Sequence, residues 1–300
     1  MSSAHTPAQT RGALAASLCY IVWGLVPLYW TRLGAVDPLE LIAHRHTWSL
    51  LFLLGIVAWQ RDFGSVRAAL DAPRKVAINL LGAVLLTGNW LVYVWGVNTG
   101  HVIECSLGYF LVPLVNVAAA RFVLHEHLRR VQWLAIGLAA AGVVLMIAQL
   151  GHPPWIALAL AGTWGGYSLL RKKSPLGAVT GLTVETLLLA PLAIGFLLWQ
   201  HYTGAGALGR APAITQVLVL SAGVITAIPL LLFAYGAKRI RLSTLGLLQY
   251  FAPTGQFLLG IWVYHEAFSR TRMMSFAFIW AGLVLYTADN LLAQRRGAAK

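Results

Sequence analysis

Charged side chains are scarce in this chain of 300 residues. Asp, Glu, Lys and Arg together make up 10% of it, whereas apolar residues make up 59%. A soluble globular domain carries about 25% charged residues. The composition therefore argues against a soluble protein and indicates a chain whose surface largely faces lipid.

Acidic residues are the scarcest charged type, with nine of them against 22 lysines and arginines. A net charge of +13 could suggest a nucleic-acid partner. However, the basic residues lie in short clusters between apolar runs, which is typical of membrane topology signals and of contact with anionic lipid headgroups. We therefore expect the lipid bilayer, and not nucleic acid, to be the partner of this charge.

Cysteines and cofactor motifs are few or absent. Cys19 and Cys105 are the two cysteines, and both lie in apolar segments predicted at opposite ends of the membrane, which argues against a disulfide or a metal site. His125-Glu126-His127 lacks the spacing of a zinc-binding helix, and we expect a solvated turn there. The sequence has no phosphate-binding loop, dinucleotide fingerprint or nucleophile elbow. We expect no cofactor and no enzymatic activity.

Long apolar runs dominate instead. About 20 apolar residues are needed to cross roughly 30 Å of hydrocarbon. Ten segments approach this length: 11–31, 38–59, 76–97, 103–123, 130–149, 153–171, 178–200, 214–236, 243–264 and 272–293. The two longest loops, 61–75 and 201–212, are expected to be polar turns. The sequence thus predicts an all-α integral membrane protein with ten transmembrane helices.

The sequence also repeats itself. Shifted by 140 residues, Trp95–Ala148 aligns with Tyr235–Ala288 without a gap. The matched pairs include Gly96 and Gly236, Phe110 and Tyr250, Pro113 and Pro253, Asn116 and Gln256, and Gly142 and Gly282. Each copy would hold five spans, and an odd number reverses orientation. We therefore predict two inverted repeats, residues 11–150 and 151–293, as in secondary transporters.

The distribution of Lys and Arg predicts the orientation in the membrane. Sixteen of them lie at the chain ends or in loops on one predicted side and four in loops on the other. Positive loops face the cytoplasm. Both termini and the Arg171–Lys173 loop are therefore expected to be cytoplasmic, and the protein is expected in the cytoplasmic membrane.

Charges inside a span are costly and mark functional candidates. Arg45 lies about seven residues into the second span, or roughly 10 Å deep, beside His44. The 140-residue offset matches Arg45 to Glu185, which enters from the opposite face. We expect the two charges to be separated by about 10 Å along the membrane normal and leave a direct ion pair open. Alternatively, Arg45 pairs with Glu40 or Glu104 and only locks helices together.

Prolines at matching depth form the next signal. Pro113 and Pro253 are predicted to break their helices, and broken helices at corresponding positions point to a binding site near the midplane. Polar and aromatic side chains lie nearby in the fourth and ninth spans, and a third group lies in the third span. The candidate substrate pathway comprises Arg45, Glu185, His44, Asn89, Trp90, Tyr93, Glu104, Tyr109, Asn116, Gln249, Tyr250 and Gln256. The alternative for any single amide is a packing bond between helices.

Four stretches resemble a known family. They are Tyr20–Trp30, Glu40–Arg45 with Trp48-Ser49, Gly108–Asn116 (GYFLVPLVN) and Leu248–Pro253 (LQYFAP). Together they resemble the RarD-type branch of the EamA family, within the drug/metabolite transporter superfamily. The resemblance implies ten helices in two inverted repeats, with helices 1–4 and 6–9 around a central cavity and helices 5 and 10 outside. It also implies export of amino acids, other small metabolites or drugs, and the branch carries the label chloramphenicol-sensitive protein.

Three functions compete at this point. The leading one is a permease that moves a small metabolite or drug across the membrane by alternating access. A non-transporting membrane scaffold or sensor would not need polar residues at matching depths in both halves. A membrane enzyme acting on lipid-linked substrates would need clustered acidic residues, and only nine carboxylates are spread over the chain. Proton coupling, which would have to use Glu185 or His44, and the oligomeric state are left open.

Overall fold

The computed structural model describes residues 7–99, 101–148, 152–263 and 270–298. These residues form α-helices joined by short connections, and they contain no β-strand. The helices are α1 Pro7–Leu25, α2 Pro27–Trp30, α3 Pro38–Gln60, α4 Phe63–Leu70, α5 Pro73–Asn98, α6 Val102–Phe122, α7 Arg130–Ile147, α8 Trp155–Lys173, α9 Ala178–Thr203, α10 Ala213–Arg239, α11 Leu242–Leu248, α12 Phe251–Trp262 and α13 Arg270–Ala298.

Several helical segments are long and apolar enough to cross a membrane. Within the described residues there are seven: Pro7–Leu33, Pro38–Gln60, Pro73–Val97, Glu104–Phe122, Arg130–Ile147, Ala178–Thr203 and Ala213–Arg239. This confirms a multi-pass helical membrane protein. The other three predicted spans coincide with α8, which ends in three basic residues, with the pair α11 and α12, each shorter than a span, and with α13.

The start of α3 shows how the chain sets the depth of a buried charge. Asp37 is the N-cap, and its Oδ1 accepts the backbone N–H groups of Leu39 at 2.9 Å and Glu40 at 3.1 Å. Pro38 occupies the first helical position, where its missing N–H is harmless. Because the helix starts here, Arg45 lies two turns inside α3 and not at its exposed end.

The two predicted proline breaks differ. The ninth span is divided into α11 and α12 at Gln249 and Tyr250, just before Pro253. In contrast, α6 continues through Pro113, so the predicted break there is not observed. A Cβ placed on Gly246 would lie 3.0 Å from the carbonyl oxygen of Pro113, so α11 packs directly against α6 at this point. Close packing by a neighbouring helix is what makes a proline tolerable within a membrane helix.

The loop at 61–75 also differs from the prediction of a simple polar turn, because residues 63–70 form α4. Asp62 caps this helix, because its Oδ1 accepts the backbone N–H of Ser65 at 3.4 Å, and the same oxygen accepts the Ser65 hydroxyl at 2.6 Å. Val66 and Ala69 are buried on its inner face, against Val57 and Val184 of α3 and α9. A short amphipathic helix therefore covers this end of the bundle.

Helices α7 and α13 cross each other closely, and their contacts are reciprocal under the 140-residue offset. A Cβ on Gly142 would lie 2.6 Å from the carbonyl oxygen of Ser275, and one on Gly282 would lie 2.5 Å from that of Ala135. Adding 140 to 142 and 135 gives 282 and 275, so each contact is the counterpart of the other. Two equivalent elements related by a two-fold axis pack in this way.

Candidate functional site

A cavity of about 420 Å³ lies within the bundle. Its walls come from eight helices, α1, α2, α3, α5, α6, α8, α10 and α12, with Thr31 and the α11–α12 junction completing them. The lining residues are Tyr20, Trp23, Val26, Pro27, Trp30, Thr31, Arg45, Trp90, Tyr93, Tyr109, Trp164, Thr226, Leu230, Gln249, Ala252, Pro253 and Gln256. Seven predicted residues are thus brought together around one volume: Arg45, Trp90, Tyr93, Tyr109, Gln249, Pro253 and Gln256.

Seven of the seventeen described lining residues of the cavity are aromatic. Trp23 and Trp164 meet edge to face with ring centroids 5.1 Å apart. Tyr93 and Tyr109 meet at 5.6 Å. Such pairs stabilise each other and keep the rings in fixed positions. Flat apolar surfaces therefore face the cavity from both halves of the chain.

Several wall residues were not among the predicted pathway residues, namely Tyr20, Trp23, Trp30, Trp164 and Thr226. A signal for two of them was present, because Trp23-Gly24 recurs as Trp164-Gly165. A Cβ on Gly24 would lie 3.2 Å from the backbone of α12, so the glycine lets α1 approach α12 closely beside Trp23.

Arg45 is the most unusual side chain of the cavity. It is only 3% exposed, and its Cζ lies 4.2 Å from the ring centroid of Trp90. Within the described structure none of its three guanidinium nitrogens has a hydrogen-bond partner. A cation over an aromatic face is stabilised by the ring quadrupole, and this contact leaves the N–H groups of the guanidinium without an acceptor.

The expected alternative partners of Arg45 are engaged elsewhere. Glu40 Oε1 accepts the backbone N–H of Ala207 at 2.6 Å. Glu104 Oε1 accepts the backbone N–H of Ile156 at 2.7 Å, at the start of α8. Both predicted carboxylates therefore satisfy backbone N–H groups, and neither locks Arg45 to another helix.

Glu185 has a partner that the sequence analysis did not propose. Arg171 Nη1 lies 3.1 Å from Glu185 Oε1, and the hydroxyl of Tyr167 donates to Oε2 at 3.0 Å. Both charged side chains are almost completely buried, at 1% and 2% exposed. By its place in the sequence, Arg171 is one of the basic residues that predict a cytoplasmic loop. A carboxylate deep in a span needs a cation beside it, and this requirement could have predicted the pair of Glu185 and Arg171 from the sequence.

A second, small cavity of about 20 Å³ lies beside the first. Both Arg45 and Glu185 line it, together with His46, Ser49 and Thr226. Its volume is close to the minimum for one water molecule. The two charges related by the repeat thus share one small space, but they do not form an ion pair within 4.0 Å.

The remaining predicted residues lie behind the wall. Asn89 donates to the carbonyl of Leu160 and to Thr163, both at 2.9 Å, and accepts the hydroxyl of Tyr109 at 3.3 Å. Asn116 donates to Gln249 at 3.4 Å. These amides are fully buried and hold two wall residues in position.

Tyr250 and His44 are also not among the lining residues. Tyr250 donates to the carbonyl of Phe110, its partner under the 140-residue offset, at 3.3 Å. His44 accepts from the indole of Trp48 at 3.1 Å and lies 3.4 Å from Glu40. The expectation that Tyr250 and Asn116 face the cavity therefore differs from the structure, because each bonds across a helix interface.

At the other end of the bundle, polar contacts tie three connections together. The Lys172 ammonium donates to the carbonyl of Ile240, and the Lys238 ammonium donates to that of Leu176. Glu126 accepts the N–H of Leu242 at 2.8 Å and the hydroxyl of Ser243 at 2.6 Å. In the turn at 125–127, His125 and His127 are exposed, whereas Glu126 caps α11, because the orphan N–H groups of a helix start need acceptors.

The described residues contain no group of three His, Cys, Asp or Glu side chains that could hold a metal ion. The repeat partner of Glu126, Glu266, lies outside the described residues.

Comparison with known proteins identifies the family of this chain. The EamA-like transporter family matches residues 10–148. A protein from Streptomyces exfoliatus named Protein RarD is 42% identical, with 97% of this chain and 93% of that protein covered. The chain belongs to the RarD-type branch of the EamA-like transporter family. It is a multi-pass membrane transporter.

Other relatives carry similar names. An uncharacterized transporter of Vibrio cholerae is 41% identical, with 94% of both chains covered. A protein of Pseudomonas aeruginosa named chloramphenicol-sensitive protein RarD is 29% identical, with 96% of both covered. A crystal structure with a TM-score of 0.71 and 23% identity covers 94% of this chain and 98% of its own, which shows a shared fold.

Proposed function

We propose that this chain is a secondary transporter that moves a small metabolite or drug across the cytoplasmic membrane by alternating access. The observation that carries the proposal is the 420 Å³ cavity, which has aromatic walls from both halves of the chain and one buried cation without a hydrogen-bond partner among the described residues. A scaffold or sensor does not need such an enclosed volume. Substrate sites of transporters lie at the interface of the repeats.

The proposal includes ten membrane spans in two inverted repeats, 11–150 and 151–293. The reciprocal crossing of α7 and α13 supports it. A second contact of this kind supports it further, since Gly24 of α1 packs on α12 while Gly165 of α8 packs on Val115 of α6. Gly24 and Gly165 are 141 residues apart, and their contact residues Val115 and Gly255 are 140 residues apart, so both contacts follow the repeat.

The proposal also covers the orientation of the chain in the membrane and the side to which the cavity is open in this structure. The cavity wall includes Val26, Pro27 and Thr31, which precede a connection that the charge distribution assigns to the outside. The contacts of Lys172, Lys238 and Glu126 join three connections assigned to the cytoplasm. This distribution supports a state that is closed towards the cytoplasm, and transport would require these contacts to open.

Proton coupling, if part of the cycle, would use Glu185. In this state the carboxylate is held by Arg171 and Tyr167, so a proton could replace these partners only after they separate. Arg45, which shares the small cavity with Glu185, is the neighbouring cation that could take over the carboxylate. If Glu185 exchanged Arg171 for Arg45, the ion pairs would differ between the two states, and this difference would couple the charges to the conformational change.

The test is a comparison of the metabolites released by cells with and without the protein. We expect at least one small metabolite to accumulate outside only when the protein is present. Arg45→Gln should abolish this release at equal membrane abundance, whereas Arg32→Gln, at an exposed arginine near the same end, should not. The proposal would be contradicted if cells with and without the protein released the same metabolites and also took up the same metabolites.

A further inference from the structure

The charges around the central cavity are unbalanced. Among the described residues that line it, Arg45 is the one with a charged side chain, and none is a carboxylate. Three hydrogen-bonding nitrogens of this guanidinium have no partner within the described structure. Leaving a buried charge unpaired costs several kcal/mol, so a site of this kind is complete only when an anion binds.

The neighbouring carboxylate does not compensate Arg45. Glu185 is neutralised by Arg171 at 3.1 Å and bonded by Tyr167 at 3.0 Å. The small cavity therefore holds one free positive charge and one carboxylate already used. A ligand ammonium group would find no acidic partner in the wall and would have to face Arg45 across the same volume.

The rest of the wall selects the body of the ligand. Trp23, Trp164, Tyr93 and Tyr109 present ring faces and edges, which suit a flat apolar group. Gln249 and Gln256 are the neutral amides of the lining and can bond one or two polar substituents. Thr226, which lines both cavities, adds a hydroxyl next to Arg45.

We propose that the central cavity binds organic monoanions, namely carboxylates with a flat apolar body, and discriminates against zwitterions and cations. The carboxylate would accept two parallel N–H bonds from Arg45, whose guanidinium carbon lies 4.2 Å from the ring centroid of Trp90. This inference rests on the proposed function, since it takes the cavity to be the substrate site.

Three probes with one carbon skeleton separate charge from shape. The first is 3-phenylpropionate, the second is the neutral 3-phenylpropionamide, and the third is L-phenylalanine, which adds an ammonium group to the first. Binding is measured on purified full-length protein by quenching of tryptophan fluorescence, to which Trp23, Trp30, Trp90 and Trp164 report from the wall. We expect the anion to bind at least about tenfold more tightly than either other probe, because a hydrogen bond to a charged group contributes about 1.5–3 kcal/mol.

The variants assign this preference to Arg45. Arg45→Gln should abolish the preference for the anion over the amide, and Arg45→Lys should retain part of it because the charge remains without the planar fork. Arg32→Gln, which removes an exposed charge, should leave the preference intact. The comparison of probes on the unaltered protein does not depend on the folding of any variant.

The outcomes separate this inference from the proposed function. Tighter binding of phenylalanine or of the amide would overturn the inference while leaving the cavity as a ligand site. No binding of 3-phenylpropionate at millimolar concentration would also overturn it. The proposed function stands or falls separately, on the metabolites that the cells release.

Discussion

At the scale of single residues, the pair of Arg171 and Glu185 has the clearest energetic consequence. The two side chains are buried and 3.1 Å apart, so removal of one leaves the other as a buried charge without a counter-ion. Arg171→Gln should therefore destabilise the protein by about 3–5 kcal/mol. The double variant Arg171→Gln/Glu185→Gln should recover most of this loss. Thermal unfolding in detergent measures both.

A matched control for this prediction exists on the surface. Arg67 and Asp71 form an exposed pair at 3.8 Å, with side chains 87% and 71% exposed. Removal of Arg67 should change the unfolding temperature little, because exposed pairs contribute about 0–1 kcal/mol. If the Arg171 and Glu185 substitutions were simply additive, the two side chains would not be coupled and the prediction would be contradicted.

The sequence was more informative about charges than about their partners. Arg45 and Glu185 could be predicted as candidates because a charge in an apolar run needs a reason to be there. Arg171 could not, because a basic residue at the end of a span has an ordinary topological explanation. Contacts between helices distant in sequence, such as those of Glu40 with Ala207 and Glu104 with Ile156, depend on packing that a single sequence does not encode locally.

At the scale of helices, the crossing of α7 and α13 depends on the absence of a side chain at Gly142. A Cβ there would meet the Ser275 carbonyl oxygen at 2.6 Å, which is too close for real atoms. Gly142→Ala should lower the unfolding temperature and the yield of folded protein. Gly137→Ala in the same helix is the control, because a Cβ there meets nothing within 4 Å. It should be neutral or stabilising, since alanine favours helix over glycine by about 1 kcal/mol. Equal effects of both substitutions would contradict the close crossing.

The start of α11 provides a second prediction. Glu126 is the acceptor for the first N–H groups and the Ser243 hydroxyl of this helix, and its side chain is 10% exposed. Glu126→Ala should therefore destabilise the protein by about 1–2 kcal/mol, as for other lost helix caps. Glu126→Gln keeps one acceptor oxygen and should lose less. The unfolding temperatures of the three proteins measure the difference, and an unchanged value for Glu126→Ala would argue against the cap.

Helix positions were predictable from the sequence to within a few residues, because apolar runs must satisfy their backbone internally within a membrane. The starts of α3 and α10 illustrate this, predicted at 38 and 214 and found at Pro38 and Ala213. The continuity of α6 through Pro113 was not predictable. It depends on α11 packing across that proline, and thus on the tertiary fold.

At the scale of the whole molecule, the sequence repeat predicts both the architecture and the location of the cavity. The Tyr250 hydroxyl donates to the carbonyl of Phe110, 140 residues away, which is the contact expected if a two-fold axis relates the two proposed repeats. The cavity was expected from this repeat, and the membrane transporter family confirms the class of function. The asymmetry in charge was not expected, because the two repeats match in sequence. In this state Glu185 is paired with Arg171, whereas its repeat counterpart Arg45 has no ionic partner among the described residues.

The orientation of the chain in the membrane can be tested by cysteine labelling in intact cells. The free cysteines Cys19 and Cys105 are buried and can be replaced by alanine to give an unreactive background. Single cysteines are then introduced as Lys173→Cys and Thr203→Cys. Both positions are exposed and are the last residues of α8 and α9, so the connection with position 173 and position 203 lie at opposite ends of α9. The excess of Lys and Arg predicts that position 173 is cytoplasmic, so a membrane-impermeant maleimide should label only position 203 from outside, and position 173 only after the cells are opened. Ser174 would be a poor choice because it is only 5% exposed. Labelling of position 173 in intact cells would reverse the orientation and, with it, the assignment of the Lys172 and Lys238 contacts to the cytoplasmic end.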